Sequence, residues 1–110
     1  MPSRTARTLL AAGFAVAAGT AFAQGPAGNA DAAKNKVSMC IGCHGVAGYK
    51  TAYPDVYHVP KIGGQSPAYI VNALRAYKTG ERGHPSMKGI AASLNEQDMA
   101  DLAAYYGGKK

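Results

Sequence analysis

The chain has 110 residues, with 12 Lys and Arg against 6 Asp and Glu for a net charge of +6, no tryptophan, and only two cysteines, Cys40 and Cys43. That length leads to the expectation of one small domain. A basic balance invites a nucleic-acid reading, but the segment that opens the chain argues against such a partner.

Residues 1–23, MPSRTARTLLAAGFAVAAGTAFA, set Arg4 and Arg7 ahead of an uncharged Leu, Ala and Val stretch and end in Ala21-Phe22-Ala23, the small-x-small pattern of a signal peptidase site. The reading predicts a Sec-type secretory signal over 1–23 and a domain over 24–110. The apolar stretch falls short of the roughly 20 residues that a membrane span needs, so no integral membrane protein is expected after cleavage. An uncleaved anchor is the alternative. An exported protein rarely meets nucleic acid, and the basic surface is better suited to steering an acidic partner.

Removing the signal leaves 87 residues with 10 basic and 6 acidic side chains, and takes away both phenylalanines, Phe14 and Phe22. The core must then come from Val, Ile, Leu, Met, Ala and tyrosines. A domain this short with so few large side chains is marginal on burial alone and usually relies on a disulfide, a metal or a cofactor.

Gln24 to Asn29 is Gly, Pro and Asn among alanines, a frayed beginning. A first helix is predicted over Ala30–Met39, with Asp31 in its first turn where the helix dipole favours an acid, and it runs straight into Cys40. Residues 45–65, GVAGYKTAYPDVYHVPKIGGQ, hold two prolines and four glycines with no helical or strand period, and read as a long irregular connection. A loop of that length in a small domain is uncommon unless functional, and makes sense if it wraps a bound object.

Ser66-Pro67 starts the next helix, Ile70, Ala73, Leu74 and Tyr77 repeat at helical spacing, and Gly80 ends it. Glu81 to Ala91, containing His84-Pro85-Ser86-Met87, reads as turn-rich. The last helix opens at Asn95 with Asp98 as a capping box, carries Met99, Leu102, Ala103 and Tyr106 on its apolar stripe, and stops at Gly107-Gly108. No strand shows clear alternation. The expected fold is all-α, with three to four short helices and long loops.

The chemistry is concentrated in Cys40-Ile41-Gly42-Cys43-His44. A thioredoxin-like redox pair follows a buried strand, and none precedes Cys40. Structural zinc needs four ligands, and adjacent Cys43 and His44 reach one tetrahedral ion with difficulty. A disulfide across so short a loop would stabilise little. Covalent haem attachment suits the spacing: two thiols add to the vinyl groups on one porphyrin edge and the following His lies under the iron. Haem also supplies the missing core, as a large flat apolar surface.

A second iron ligand would come from Met39, His58, His84, Met87 or Met99. Met39 is too close to the attachment site to reach the opposite face, and Met99 sits on a helical stripe as core packing. Met87, placed in a loop off any stripe, ranks first, His84 second and His58 third; both histidines otherwise read as surface loop residues.

With these residues in view, the chain resembles the small class I monohaem c-type cytochromes of the bacterial periplasm over almost the whole of 24–110. Cys40, Cys43 and His44 match the attachment pattern, Met87 the distal ligand, and Asp98 with residues 102–106, LAAYY, the C-terminal helix. The segment His58 to Gln65 resembles one in which a proline carbonyl accepts the proximal histidine's second ring proton. The resemblance implies Pro60 in that role, a haem c bound through Cys40 and Cys43, and an N-terminal helix crossing the C-terminal one. His84 beside Met87 departs from the pattern and leaves a ligand exchange open.

The function implied is electron carriage, not catalysis: a periplasmic monomer or weak dimer exchanging one electron with redox protein partners at an exposed haem edge. Lys50, Lys61, Arg75, Lys78, Arg82 and Lys88 flank the loops and form an expected docking rim for acidic partners. The alternatives are a haem subunit of a periplasmic dehydrogenase, and a five-coordinate haem that binds a gas or turns over peroxide.

Overall fold

The structure, a computed structural model, describes residues 25–53 and 56–109. The expected signal at 1–23 lies outside the described residues. Among the described residues are five helices and one minimal antiparallel ladder: α1 Ala30–Ala33, α2 Ser38–His44, β1 Lys50–Thr51, β2 Tyr57–His58, α3 Pro67–Thr79, α4 Pro85–Ala92 and α5 Glu96–Gly107.

The single helix expected over Ala30–Met39 is two. The Asn29 side chain caps α1 by accepting from the Asp31 and Ala32 backbone N–H groups. Residues 34–37 then form a turn with short-range bonds from Lys34 N to Asp31 O and from Lys36 N to Ala33 O. Asn35, a poor helix former, sits in that turn. The second piece, α2, carries the whole Cys40–His44 pentad, which the sequence reading had placed after a helix instead of on one.

α3 and α5 follow their sequence signals. Ser66 accepts from Tyr69 N, with Pro67 opening α3, and Gly80 closes it at φ 88°, a left-handed position that suits a residue without a side chain. At α5 the Asn95 side chain accepts from Asp98 N while the Asp98 carboxylate accepts from Asn95 N, the reciprocal capping box.

The turn-rich reading of 81–91 is corrected by α4. Pro85 occupies its first position and the His84 side chain caps it. Met87, Ile90, Ala91 and Leu94 repeat at helical spacing, a signal masked in the sequence by Gly89 and the flanking turn residues. The ladder in 45–65 is also new: Lys50 pairs with His58 and Thr51 with Tyr57, too briefly for any alternation to be legible.

α1 packs on α5, α5 on α3, and α3 on α4. Their shared core holds Ala33, Val37, Ile70, Leu94, Met99, Leu102, Ala103 and Tyr106. Gly28 sets the closest approach between the two ends of the domain: a Cβ there would lie 2.1 Å from the Ala100 carbonyl oxygen. Cys40, Ile62 and Leu74 are only partly buried against this core, and mark the side on which it stays open.

Candidate functional site

The open side is a cavity of about 450 Å³, within the size range of small-molecule and cofactor sites. α2 contributes Cys40, Cys43 and His44 to its wall, and α4 contributes Met87. Most of the rest is apolar, with Ile70 and Leu74 from α3 and Leu102 from α5. The pentad on α2 and Met87 on α4 thus line one cavity.

Cys40 and Cys43 are both free of disulfide bonding, Cys40 half-buried and Cys43 exposed. Their spacing of three puts them on neighbouring turns of α2, facing one cavity. Burial pushes the Cys40 thiol up, and the nearby Tyr106 hydroxyl pulls partly the other way. Among the described residues, no group of three or more His, Cys, Asp and Glu side chains is placed to hold a metal ion.

The His44 ring donates from Nδ1 to the Pro60 carbonyl oxygen at 2.7 Å. Pro60 stands in the extended stretch after β2, a position for which its fixed φ is suited. Because that carbonyl can only accept, it is Nδ1 that carries a hydrogen, which leaves Nε2 as the nitrogen that a neutral ring would offer to a metal.

The other sequence candidates separate cleanly. Met87 is half-buried on the cavity, while Met99 is 0 % exposed within the core. The expectation that Met87 lies off any stripe is corrected: it heads the inner face of α4 and is set apart by where that face points. His58 is exposed on β2 and does not line the cavity. His84 does line it, half-buried, so the surface-loop reading of His84 is corrected as well. Tyr57, which no sequence signal singled out, also lines the cavity and meets the His84 ring edge-on.

Of the six basic residues expected around the site, Lys61 and Arg82 line the cavity. Arg75 instead pairs with Glu96, and the Lys78 ammonium donates to the Leu94 carbonyl. Neither is therefore a free rim charge.

Comparison with known proteins decides the family. The Cytochrome c family profile matches residues 30–106, which include α2 and its pentad, α4 and nearly all of α5. The chain belongs to the Cytochrome c family. Cytochrome c-554(548) of Halomonas halodenitrificans is 37 % identical over 87 residues, covering 76 % of this chain and all of that protein. Cytochrome c4 of Pseudomonas aeruginosa is 36 % identical over 84 residues, 76 % of this chain but 40 % of that one. The crystal structure of reduced recombinant cytochrome c4 from Pseudomonas stutzeri superposes with a TM-score of 0.60 at 34 % identity, covering 76 % of this chain and 47 % of that chain. This cytochrome thus spans less than half the length of the c4 proteins it matches.

The fold is that of class I cytochrome c, and the cofactor is the covalently attached haem c of the family. The site fits it on its own terms: two unbridged thiols and an imidazole oriented by the Pro60 carbonyl line one largely apolar cavity. When bound, haem c supplies an iron that cycles between ferric and ferrous. Cys40 and Cys43 on α2 would attach it, and the apolar side chains of α3 and α5 that line the cavity would exclude water. Among the described residues no helix is long and apolar enough to cross a membrane.

Proposed function

We propose that this cytochrome is a periplasmic single-haem electron carrier in which His44 and Met87 ligate the iron from opposite sides. The observation that supports the reading is that His44 on α2 and Met87 on α4 line one cavity. Two protein ligands leave no open position on the iron, so the reaction is outer-sphere transfer of one electron, and a thioether ligand favours the ferrous state. Pro60 holds His44 in the ligating tautomer, and Cys40 and Cys43 carry the thioether bonds.

Partners meet the protein at the exposed haem edge through a small interface, below about 1,200 Å², that forms and dissociates quickly. With Arg75, Lys78 and Arg82 engaged by other groups, Lys50, Lys61 and Lys88 are the docking charges for acidic redox proteins. The export signal at 1–23 delivers the chain to the periplasm, where it acts as a monomer or weak dimer.

The deciding experiment is the absorption spectrum of the exported protein, oxidised and reduced, with carbon monoxide added to the ferrous form. The expected result is the weak long-wavelength ferric iron-to-thioether band and no reaction with carbon monoxide. Met87→Ala is expected to keep haem attached, lose that band, bind carbon monoxide and lower the potential. Carbon monoxide binding by the native ferrous protein would replace the carrier reading with a five-coordinate, ligand-binding one. Rates of reduction by an acidic partner are expected to fall as salt rises; a flat response removes the docking rim.

A further inference from the structure

His84 joins three elements at the cavity. Its Nδ1 accepts from the Met87 backbone N–H at 3.2 Å, as the cap of α4. Its ring meets Tyr57 of β2 edge-on, with centroids 4.9 Å apart and planes at 89°. It meets Tyr77 of α3 at 6.3 Å and 77°. The Arg82 guanidinium covers Tyr77, 4.8 Å from the ring centroid, and closes the cluster.

A neutral imidazole has one lone-pair nitrogen. In His84 that lone pair is spent on the Met87 N–H, and the remaining nitrogen carries the proton. A ring in this state has nothing to offer an iron. The Met87 N–H is one of the first-turn donors of α4 that lack a partner within the helix, and a helix of eight residues has little to hold its first turn otherwise.

We propose that His84 is a positioning residue for the thioether of Met87, fixing the first turn of α4 against α3 and β2, and does not compete for the iron. The inference rests on reading Met87 as a ligand. Loosening the cap frays the turn that bears Met87, and a ligand present only part of the time gives way to an external one in proportion.

The test compares native holoprotein with His84→Leu, which keeps apolar bulk between the tyrosines but accepts nothing, and His84→Asn, which restores a capping acceptor without the ring. The readouts are the ferric iron-to-thioether band and the affinity of the ferric protein for added imidazole. His84→Leu is expected to weaken the band and bind imidazole about fivefold more tightly, the equilibrium equivalent of a lost cap. His84→Asn is expected to stay near native in both. Equal loosening in the two variants, loosening in His84→Asn alone, or none in either overturns the inference and leaves Met87 as ligand untouched. A native protein without the band removes Met87 itself, and the inference with it.

Discussion

Lys36 and Asp101 lock the turn before the haem-attachment helix onto the last helix: the Lys36 ammonium donates to Asp101 Oδ2 at 2.8 Å, and Asp101 is 2 % exposed. The same ammonium reaches Asp98 at 2.6 Å, while Asp101 Oδ1 accepts from the Asn29 N–H and the Gln97 amide, each at 2.8 Å. A buried carboxylate is acceptable here because every lone pair direction in use has a donor, one of them charged.

Acid stability follows from that arrangement. Lys36, then the Asn29 N–H and Gln97, hold the Asp101 carboxyl at about 2, below its ordinary 3.8, against the opposing effect of burial. A carboxyl lowered in the folded state stabilises fully above its unfolded value and loses that contribution as pH falls through the folded one. Thermal unfolding followed between pH 5 and pH 2 is expected to show a steep loss below about pH 4. In Asp101→Asn the melting temperature should be lower at neutral pH and that loss shallower. An unchanged acid limb in the variant would assign it to the other lowered carboxyls, Asp31, Glu96 and Asp98.

Gly28 is the tightest backbone contact between the start of the domain and α5. An added methyl group 2.1 Å from the Ala100 carbonyl oxygen cannot be absorbed by a side-chain rotation, because the obstacle is backbone. Gly28→Ala is expected to cost about 1–3 kcal/mol, the usual range for overpacking. Guanidinium unfolding should show a lower midpoint with an unchanged slope; an unchanged midpoint would mean that the segment before α1 simply lifts away.

The two methionines of the domain interior offer a paired test. Met99 is 0 % exposed among core side chains, so Met99→Ala should cost about 2–5 kcal/mol and leave the haem spectrum as it was. Met87→Ala should do the reverse, changing the spectrum and the potential. Spectral change in Met99→Ala, with haem still attached, would mean that the core is not separable from the site.

Tyr106 buries its hydroxyl without a hydrogen-bond partner. Burial, with Cys40 nearby, pushes that phenol up to about 12. An unpaired buried hydroxyl costs about 1–3 kcal/mol, so Tyr106→Phe should match or exceed the native protein in stability by up to that amount. Equilibrium unfolding of the two holoproteins decides it. Lower stability in Tyr106→Phe would show that the hydroxyl finds a partner once haem is attached.

Local signals in the amino-acid order were sufficient for the attachment pentad, for α3 with its Ser66 cap and Gly80 stop, and for α5 with its capping box. In each of these the chemistry is contained within about one helical turn, where spacing alone sets the geometry. They were not sufficient for α4, because Pro85 and Gly89 carry the composition of a turn and the Met87, Ile90, Ala91, Leu94 spacing becomes decisive only when a cavity and a core lie on that side. Nor did they divide the first helix, since the break at 34–37 serves a long-range purpose, bringing Lys36 to Asp98 and Asp101.

By itself, then, the sequence determined which groups are offered to a haem, two thiols and an imidazole at fixed spacing, and an order of preference among the thioethers and histidines proposed as the second ligand. Only tertiary structure decided how they are held. The Pro60 carbonyl that sets the His44 tautomer is 16 residues away along the chain, and the tyrosines that clamp His84 come from β2 and α3. The physical reason is that a residue's identity and its neighbours along the helix are local quantities, whereas the orientation of a ligand depends on hydrogen bonds and ring contacts that exist only after distant segments have packed.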